Sequence, residues 1–243
     1  MDLTTFAAGY TCADQPFDLY AARPAALAEA PLVVVCPAWD GLNDPVKAIA
    51  HRVAALGYQA VAIDVYGHGV RGDVGADNSA LMNPLLADRA ALTARLLAGL
   101  AAAQALQGSA AGAAVAIGYC FGGLCVLDLA RANAPGIAGV VSFHGLFIPN
   151  DLDQHDPIGA KVLVEHGWDD PMVPPEQVLA FAREMDARGA DWQLHAHGGA
   201  MHAFTFEGAN APEMGVQYHA AAAARSWASM LGLFGEVLPD DWS

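Results

Sequence analysis

Positive charge is scarce in this chain. Lysine and arginine together number 11 against 26 aspartates and glutamates, a formal net charge of −15 at neutral pH. A surface of that sign repels nucleic acid and anionic lipid, so neither nucleic acid nor membrane is expected as a partner. Cysteine is sparse too. Cys12, Cys36, Cys120 and Cys125 show no C-x-x-C spacing, which argues against a disulfide framework or a cysteine zinc site and makes a reducing, cytoplasmic setting the expectation. No basic stretch followed by an apolar one opens the chain, so no secretory signal is expected. No repeat, low-complexity linker or charge block divides the 243 residues, and residues 1–243 are expected to form one domain. Charge is also missing between Leu96 and Leu127, but Gln104, Gln107, Gly108, Ser109 and Gly112 interrupt that run. A helix, a loop and a buried strand account for it better than a membrane span.

What is abundant is apolar sequence, 55% of the chain, which is ample for one large core. Phe17 to Ala21 alternates weakly before Pro24 and predicts an early antiparallel strand. Leu32–Cys36 is a buried β-branched strand ending at Pro37. A capping Asp44, Pro45 in the first turn and Gly57 at the stop frame a helix. A strand over Tyr58–Tyr66, a glycine-rich loop and a helical stretch over Pro84–Gln107 follow. Then come strands at Ala113–Ile117, Gly139–His144, Lys161–His166 and Trp192–His197, with helices at Leu124–Arg131, Glu176–Arg188 and Ala211–Leu233. Strands alternating with helices predict a mainly parallel sheet covered on both faces.

The most informative segment is Gly118-Tyr119-Cys120-Phe121-Gly122-Gly123, between the Ala113–Ile117 strand and the Leu124–Arg131 helix. Glycines two before and two after the cysteine give the spacing of a nucleophile elbow, with cysteine where serine is usual. Small flanking residues permit a strained turn that pushes the side chain above the sheet. The N-terminus of the following helix favours a thiolate, the reactive form of cysteine. By itself such a motif is weak, since buried cysteine usually acts as a small hydrophobe. Two downstream elements strengthen it. Gly167-Trp168-Asp169-Asp170-Pro171-Met172-Val173-Pro174 follows a strand, and Asp170 is the expected acid there, with Asp169 its immediate rival. Gly198-Gly199-Ala200-Met201-His202-Ala203-Phe204 follows the last strand and presents one histidine. A thiol nucleophile needs a base, and the base needs an orienting acid. The order Cys120, Asp170, His202 is the nucleophile–acid–base order of the α/β-hydrolase fold.

On these residues the chain resembles the dienelactone hydrolase family of the α/β-hydrolase superfamily, from Thr11-Cys12-Ala13-Asp14-Gln15-Pro16-Phe17 to the final helix. The resemblance implies that Cys120 attacks a carbonyl, His202 carries the proton and Asp170 orients His202. The oxyanion would be received by the backbone N–H of Phe121 and of Trp39. Family members place a glutamate against the resting cysteine, where this chain has Ala38, with Asp40 two positions on. They also hold a substrate carboxylate with arginines. One of those positions is Phe206 here, and Arg71 and Arg89 only flank the other. A pocket drawn from Ala38, Asp40, Trp39, Met82, Tyr119, His144 and Phe206 would prefer a neutral, apolar ester or lactone.

Three readings remain beside that one: activated phosphotriesters or thioesters at the same cysteine, true dienelactone hydrolysis, and an inactive binding member of the fold. No cofactor or metal is expected. Gly67-His68-Gly69-Val70-Arg71-Gly72 matches a dinucleotide pattern, but no helix opens at it. His195-x-His197 with His202 shows no supporting carboxylate spacing for a metal. Glu165 and His166 are simplest as strand-end residues, and His144 as a hydrogen-bonded one. The expected partner is a small-molecule substrate, and the expected state a monomer or homodimer.

Overall fold

In the computed structural model, which describes residues 1–27, 30–107 and 112–238, eight strands form one sheet. They are β1 (Leu3–Cys12), β2 (Gln15–Pro24), β3 (Leu32–Cys36), β4 (Gln59–Ile63), β5 (Ala114–Tyr119), β6 (Ile137–Phe143), β7 (Lys161–Gly167) and β8 (Trp192–His197). Their spatial order is β1-β2-β4-β3-β5-β6-β7-β8. The first two strands pair antiparallel with each other, and β2 pairs antiparallel with β4. From β4 to β8 every neighbour is parallel. The helices are α1 (Asp44–Ala54), α2 (Ser79–Ala87), α3 (Arg89–Gln107), α4 (Phe121–Arg131), α5 (Pro175–Ala187) and α6 (Ala220–Val237).

The period-2 geometry of a strand explains the continuous apolar runs. In β3, Leu32, Val34 and Cys36 join the core under α2 to α5, while Val33 and Val35 join the core under α1 and α6. In β5, Ala114 and Ala116 face the first layer, and Val115 and Ile117 the second. Both faces are buried, so every position must be apolar. The described residues of the charge-free stretch from Leu96 thus belong chiefly to α3, β5 and α4, and among the described residues no helix is long and apolar enough to cross a membrane. The loop expected at Gly108 and Ser109, and residues 239–243 of the expected domain, lie outside the described residues.

Several boundaries differ from expectation for local reasons. The first strand was not anticipated. It is an edge strand whose Phe6, Ala8 and Tyr10 alternate with exposed positions, and it turns into β2 through Ala13 and Asp14, both at positive φ. The cap of α1 is Asn43, whose side chain accepts from the Val46 N–H at 3.3 Å, and Asp44 is already helical. The expected Tyr58–Tyr66 strand stops at Ile63, because the buried Asp64 carboxylate takes the Tyr66 and Gly67 N–H groups and bends the chain. The single helix expected over Pro84–Gln107 is two. Asp88 ends α2 and accepts from the Ala91 N–H at 2.9 Å to open α3. The last helix begins at Ala220 rather than Ala211. Residues Asn210–Ala211 and Val216–Gln217 instead form a small antiparallel ribbon, β9 and β10, and His219 caps α6.

Candidate active site

Parallel pairing aligns the carboxyl ends of the central strands, with Cys36 opposite Gly118 and Gly118 opposite Ser142. The loops that leave those ends carry Trp39, Cys120, His144, Asp170 and His202, so one sheet edge collects residues from five loops.

Cys120 stands between β5 and α4 with φ +54° and ψ −117°. A non-glycine residue held there stores on the order of 1–3 kcal/mol of backbone strain. Its neighbours make the turn sterically feasible. A Cβ at Gly118 would run into the Gly122 carbonyl, and one at Gly122 into the carbonyls of Cys36 and Pro37. The Cys120 N–H donates to the Phe143 carbonyl at 3.0 Å, which ties the turn to β6.

Asp170 is 3% exposed and His202 4% exposed, and they meet through Oδ2 and Nδ1 at 2.8 Å. The other carboxylate oxygen of Asp170 accepts from the Met172 N–H at 2.9 Å. Asp169, the rival acid, is exposed, and its backbone N–H donates to Ala200. The β9–β10 ribbon holds the histidine loop: the His202 N–H donates to Gly215 and the Gln217 N–H to the His202 carbonyl. Burial alone would drive the proton off His202. Electrostatic interaction with Cys120, the hydrogen bond to Asp170, a hydrogen bond with Cys120 and the Asp170 charge outweigh burial and hold its pKa up to about 10. Cys120, His202 and Asp170 therefore interact in series.

Phe121 is the first residue of α4, where backbone N–H groups have no helical partner. Among the described residues neither its N–H nor that of Trp39 donates to another protein group. Trp39, Leu81, Met82, Leu86, Cys120 and Leu146 are half-buried and pack on the same core layer. Phe206 stands in the turn after His202, 44% exposed, against Gly208. Asp40 is buried, which pushes its carboxyl above the usual range, with Asn43 opposing the shift. Ala38 accepts the Gly41 N–H at 3.0 Å.

Two expected pocket residues serve otherwise. Tyr119 stacks on Phe143 at 4.5 Å and packs on the opposite core layer from Met82. His144 is 3% exposed; its Nε2 meets Thr205 Oγ1 at 2.7 Å and its ring lies edge-on to His202 at 5.3 Å. Burial and then the His202 charge push its pKa well below the ordinary value, so it backs His202 as a neutral ring. Both arginines are paired with carboxylates of the protein. Arg71 pairs with Asp18 at 2.6 Å, and Arg89 forks onto the buried Asp128 at 2.6 and 2.9 Å. The Gly67–Gly72 loop wraps the same Asp18 and leads into more loop before α2.

The sequence shows no carboxylate for His195-x-His197, but the neighbouring strand supplies one. Glu165 lies opposite His195, is fully buried, and bonds His195 Nδ1 at 2.9 Å and His197 Nε2 at 2.7 Å. His202 is turned to Asp170 instead. Among the described residues no group of three or more such side chains is arranged to hold a metal ion. Tyr66, three residues past the end of β4, was not anticipated as part of the site: its hydroxyl donates to the Trp39 carbonyl at 2.8 Å.

The same architecture recurs among solved structures. One called m3DLH superposes with a TM-score of 0.91 at 36% identity, covering 98% of this chain and 99% of its own. The dienelactone hydrolase-like promiscuous phosphotriesterase P91, from metagenomic libraries, gives 0.90 at 35% identity over 98% and 99% of the two chains. A Bradyrhizobium sp. protein named "probable 2-oxo-3-(5-oxofuran-2-ylidene)propanoate lactonase" is 28% identical over 200 residues, 76% of this chain and 77% of its own. Residues 17–238 match the dienelactone hydrolase family as a whole, so the chain is an α/β-hydrolase-fold ester or lactone hydrolase belonging to the dienelactone hydrolase family.

Proposed function

We propose that this member is a cysteine-dependent hydrolase of neutral, apolar carboxylic esters or lactones, acting as a single catalytic domain. The observation that carries the reading is the series Cys120–His202–Asp170 at one sheet edge, with the base's proton affinity raised chiefly by Cys120 itself. In the first step His202 takes the thiol proton and Sγ bonds to the carbonyl carbon. The carbonyl oxygen becomes an oxyanion facing the Phe121 and Trp39 N–H groups, and two such donors lower the barrier by several kcal/mol. Collapse breaks the bond to the alkoxy oxygen, which leaves with the proton from His202. His202 then takes a proton from water, whose oxygen attacks the thioester. Collapse of that second intermediate breaks the carbon–sulfur bond, the leaving sulfur takes the proton from His202 to restore the thiol, and the acid product departs and ionises in solvent. Asp170 holds the ring throughout with Nδ1–H toward itself and Nε2 toward the thiol.

Neutral substrates are favoured because Phe206 replaces a cation, Arg89 is paired with Asp128 in the interior, and Arg71 is paired with the partly exposed Asp18. A second reading has one specific support, the 35% identity to a phosphotriesterase: Cys120 would attack phosphorus in a neutral phosphotriester. Mass spectrometry of enzyme quenched during turnover of an aryl ester should find the acyl group on the Cys120 peptide. Cys120→Ala should lose nearly all activity with its fold intact, and Cys120→Ser should keep little. Activity near wild type in Cys120→Ala would overturn the assignment.

A further inference from the structure

Tyr66 lies outside the triad but touches both sources of the oxyanion donors. Its hydroxyl donates to the Trp39 carbonyl at 2.8 Å. Its ring runs parallel to the Phe121 ring, 3° between planes and 6.2 Å between centroids. Gly41, at φ +80°, lets the oxyanion loop approach that ring, since a Cβ there would stand 3.0 Å from Cδ2 of Tyr66. The same Gly41 donates its N–H to the Ala38 carbonyl at 3.0 Å, and that carbonyl shares a peptide plane with the Trp39 N–H. The two peptides that flank Trp39 are therefore fixed, one by Gly41 and one by Tyr66.

Tyr66 is itself held. It is 6% exposed, its N–H donates to Asp64 Oδ1 at 2.9 Å, and its carbonyl accepts from Gln15 Nε2 at 3.3 Å. Burial above all, and then interaction with Cys125, Asp40, Cys120 and Asp64, pushes the phenol's pKa up, so the hydroxyl keeps its proton and acts toward the carbonyl only as a donor.

We propose that Tyr66 is a positioning residue that sets the Trp39 and Phe121 N–H groups for the oxyanion, a role that rests on the Cys120 hydrolase reading. A catalytic donor displaced by a fraction of an ångström keeps its bond to water but loses alignment with the developing charge. Losing such a donor outright costs about 10²–10³-fold in kcat, and partial misalignment should cost about 10-fold.

The test separates oxyanion chemistry from thiol reactivity. Tyr66→Phe keeps the ring and removes only the hydroxyl. Hydrolysis of an aryl ester is measured beside alkylation of Cys120 by iodoacetamide, followed on the Cys120 peptide. In alkylation Sγ bonds to carbon and iodide leaves with its electron pair, so no oxyanion forms. Tyr66→Phe should lower kcat about 10-fold with KM within about twofold, and leave the alkylation rate and the melting temperature nearly unchanged. Gly41→Ala pushes the same loop off the ring with the hydroxyl retained, and should show the same selective loss. Unchanged ester hydrolysis in Tyr66→Phe, or equal losses in both reactions, would overturn the role. If wild-type enzyme alkylated at Cys120 still hydrolyses esters, the cysteine reading itself fails, and the role of Tyr66 goes with it.

Discussion

Asp170→Asn should reduce kcat about 10³-fold, and the geometry of the acid says why. One oxygen, Oδ1, accepts the Met172 N–H at 2.9 Å; the other, Oδ2, faces His202 Nδ1 at 2.8 Å. An asparagine must keep its carbonyl on the Met172 N–H, because an NH₂ there would oppose a donor with a donor in a buried site. Its NH₂ then faces His202 and makes Nδ1 the acceptor. The ring proton moves to Nε2, the nitrogen that must receive the thiol proton. The same swap in a serine triad costs about 10⁴-fold. A thiol depends less on its base, which lowers the expectation to about 10³-fold, or about 4 kcal/mol of barrier. Asp169→Asn is the matched control. It is exposed and contributes a backbone bond that the substitution leaves alone, so it should stay within about twofold. Steady-state kinetics on one aryl ester, with melting curves of both variants, decide the matter. A loss below tenfold in Asp170→Asn, or the reverse ranking of the two aspartates, would refute the tautomer argument.

The His202 titration gives a second check. Cys120 is the largest influence raising its pKa to about 10, so in Cys120→Ala the midpoint, read by NMR of the ring, should move down. A folded pKa above the unfolded value of about 6.5 means that this proton stabilises the fold fully below pH 6.5, and that the contribution fades as pH rises through 10. In Cys120→Ala the fading should begin at lower pH, and an unmoved midpoint would show that the two side chains do not interact. Substrate charge gives a third. An uncharged aryl ester should exceed its carboxylate-bearing analogue more than tenfold in kcat/KM, since an unpaired carboxylate is costly to desolvate. Added salt should narrow only the part due to the −15 net charge. Preference for the anion would mean that an arginine reaches the pocket.

The parallel sheet and the order of its elements were legible because strands buried on both faces leave uninterrupted apolar runs, as in Leu32–Cys36 and Ala114–Ile117. The elbow was legible because its backbone contacts exclude side chains at Gly118 and Gly122. Asp170 could be preferred over Asp169 from spacing, although only the fold shows which of them is buried. What stayed hidden has a common cause: it depends on neighbours distant in sequence. Tyr66 reads as the last residue of a strand until Asp64 bends the chain beneath the Trp39 loop. Glu165 reads as a strand end until register sets it between His195 and His197. The ribbon before α6 was mistaken for helix because Ala211 and Ala220–Ala224 share composition, while the left-handed Gly215 and the capping His219 divide them.

The scarcity of cations also shapes the site. Arg89 grips Asp128 and the carbonyls of Ile148 and Pro149. Arg131 binds Asp128 and Glu184, and Arg188 donates to the Arg131 carbonyl. Asp128 is fully buried between two of these guanidiniums, and removing Arg89, its forked partner, would leave that carboxylate undercompensated, a loss of up to about 3–5 kcal/mol. The network joins α3, α4 and α5 to the loop after β6. A cation that fixes helices in this way cannot also turn toward a substrate. Beside the raised proton affinity of His202, positive potential at the site comes from backbone: the N-terminus of α4 at Cys120 and the N–H groups of Phe121 and Trp39. Backbone dipoles act at short range and stabilise one developing oxyanion better than a fully charged substrate held at a distance. A site built that way gains selectivity for esters that arrive neutral and become charged only at the transition state.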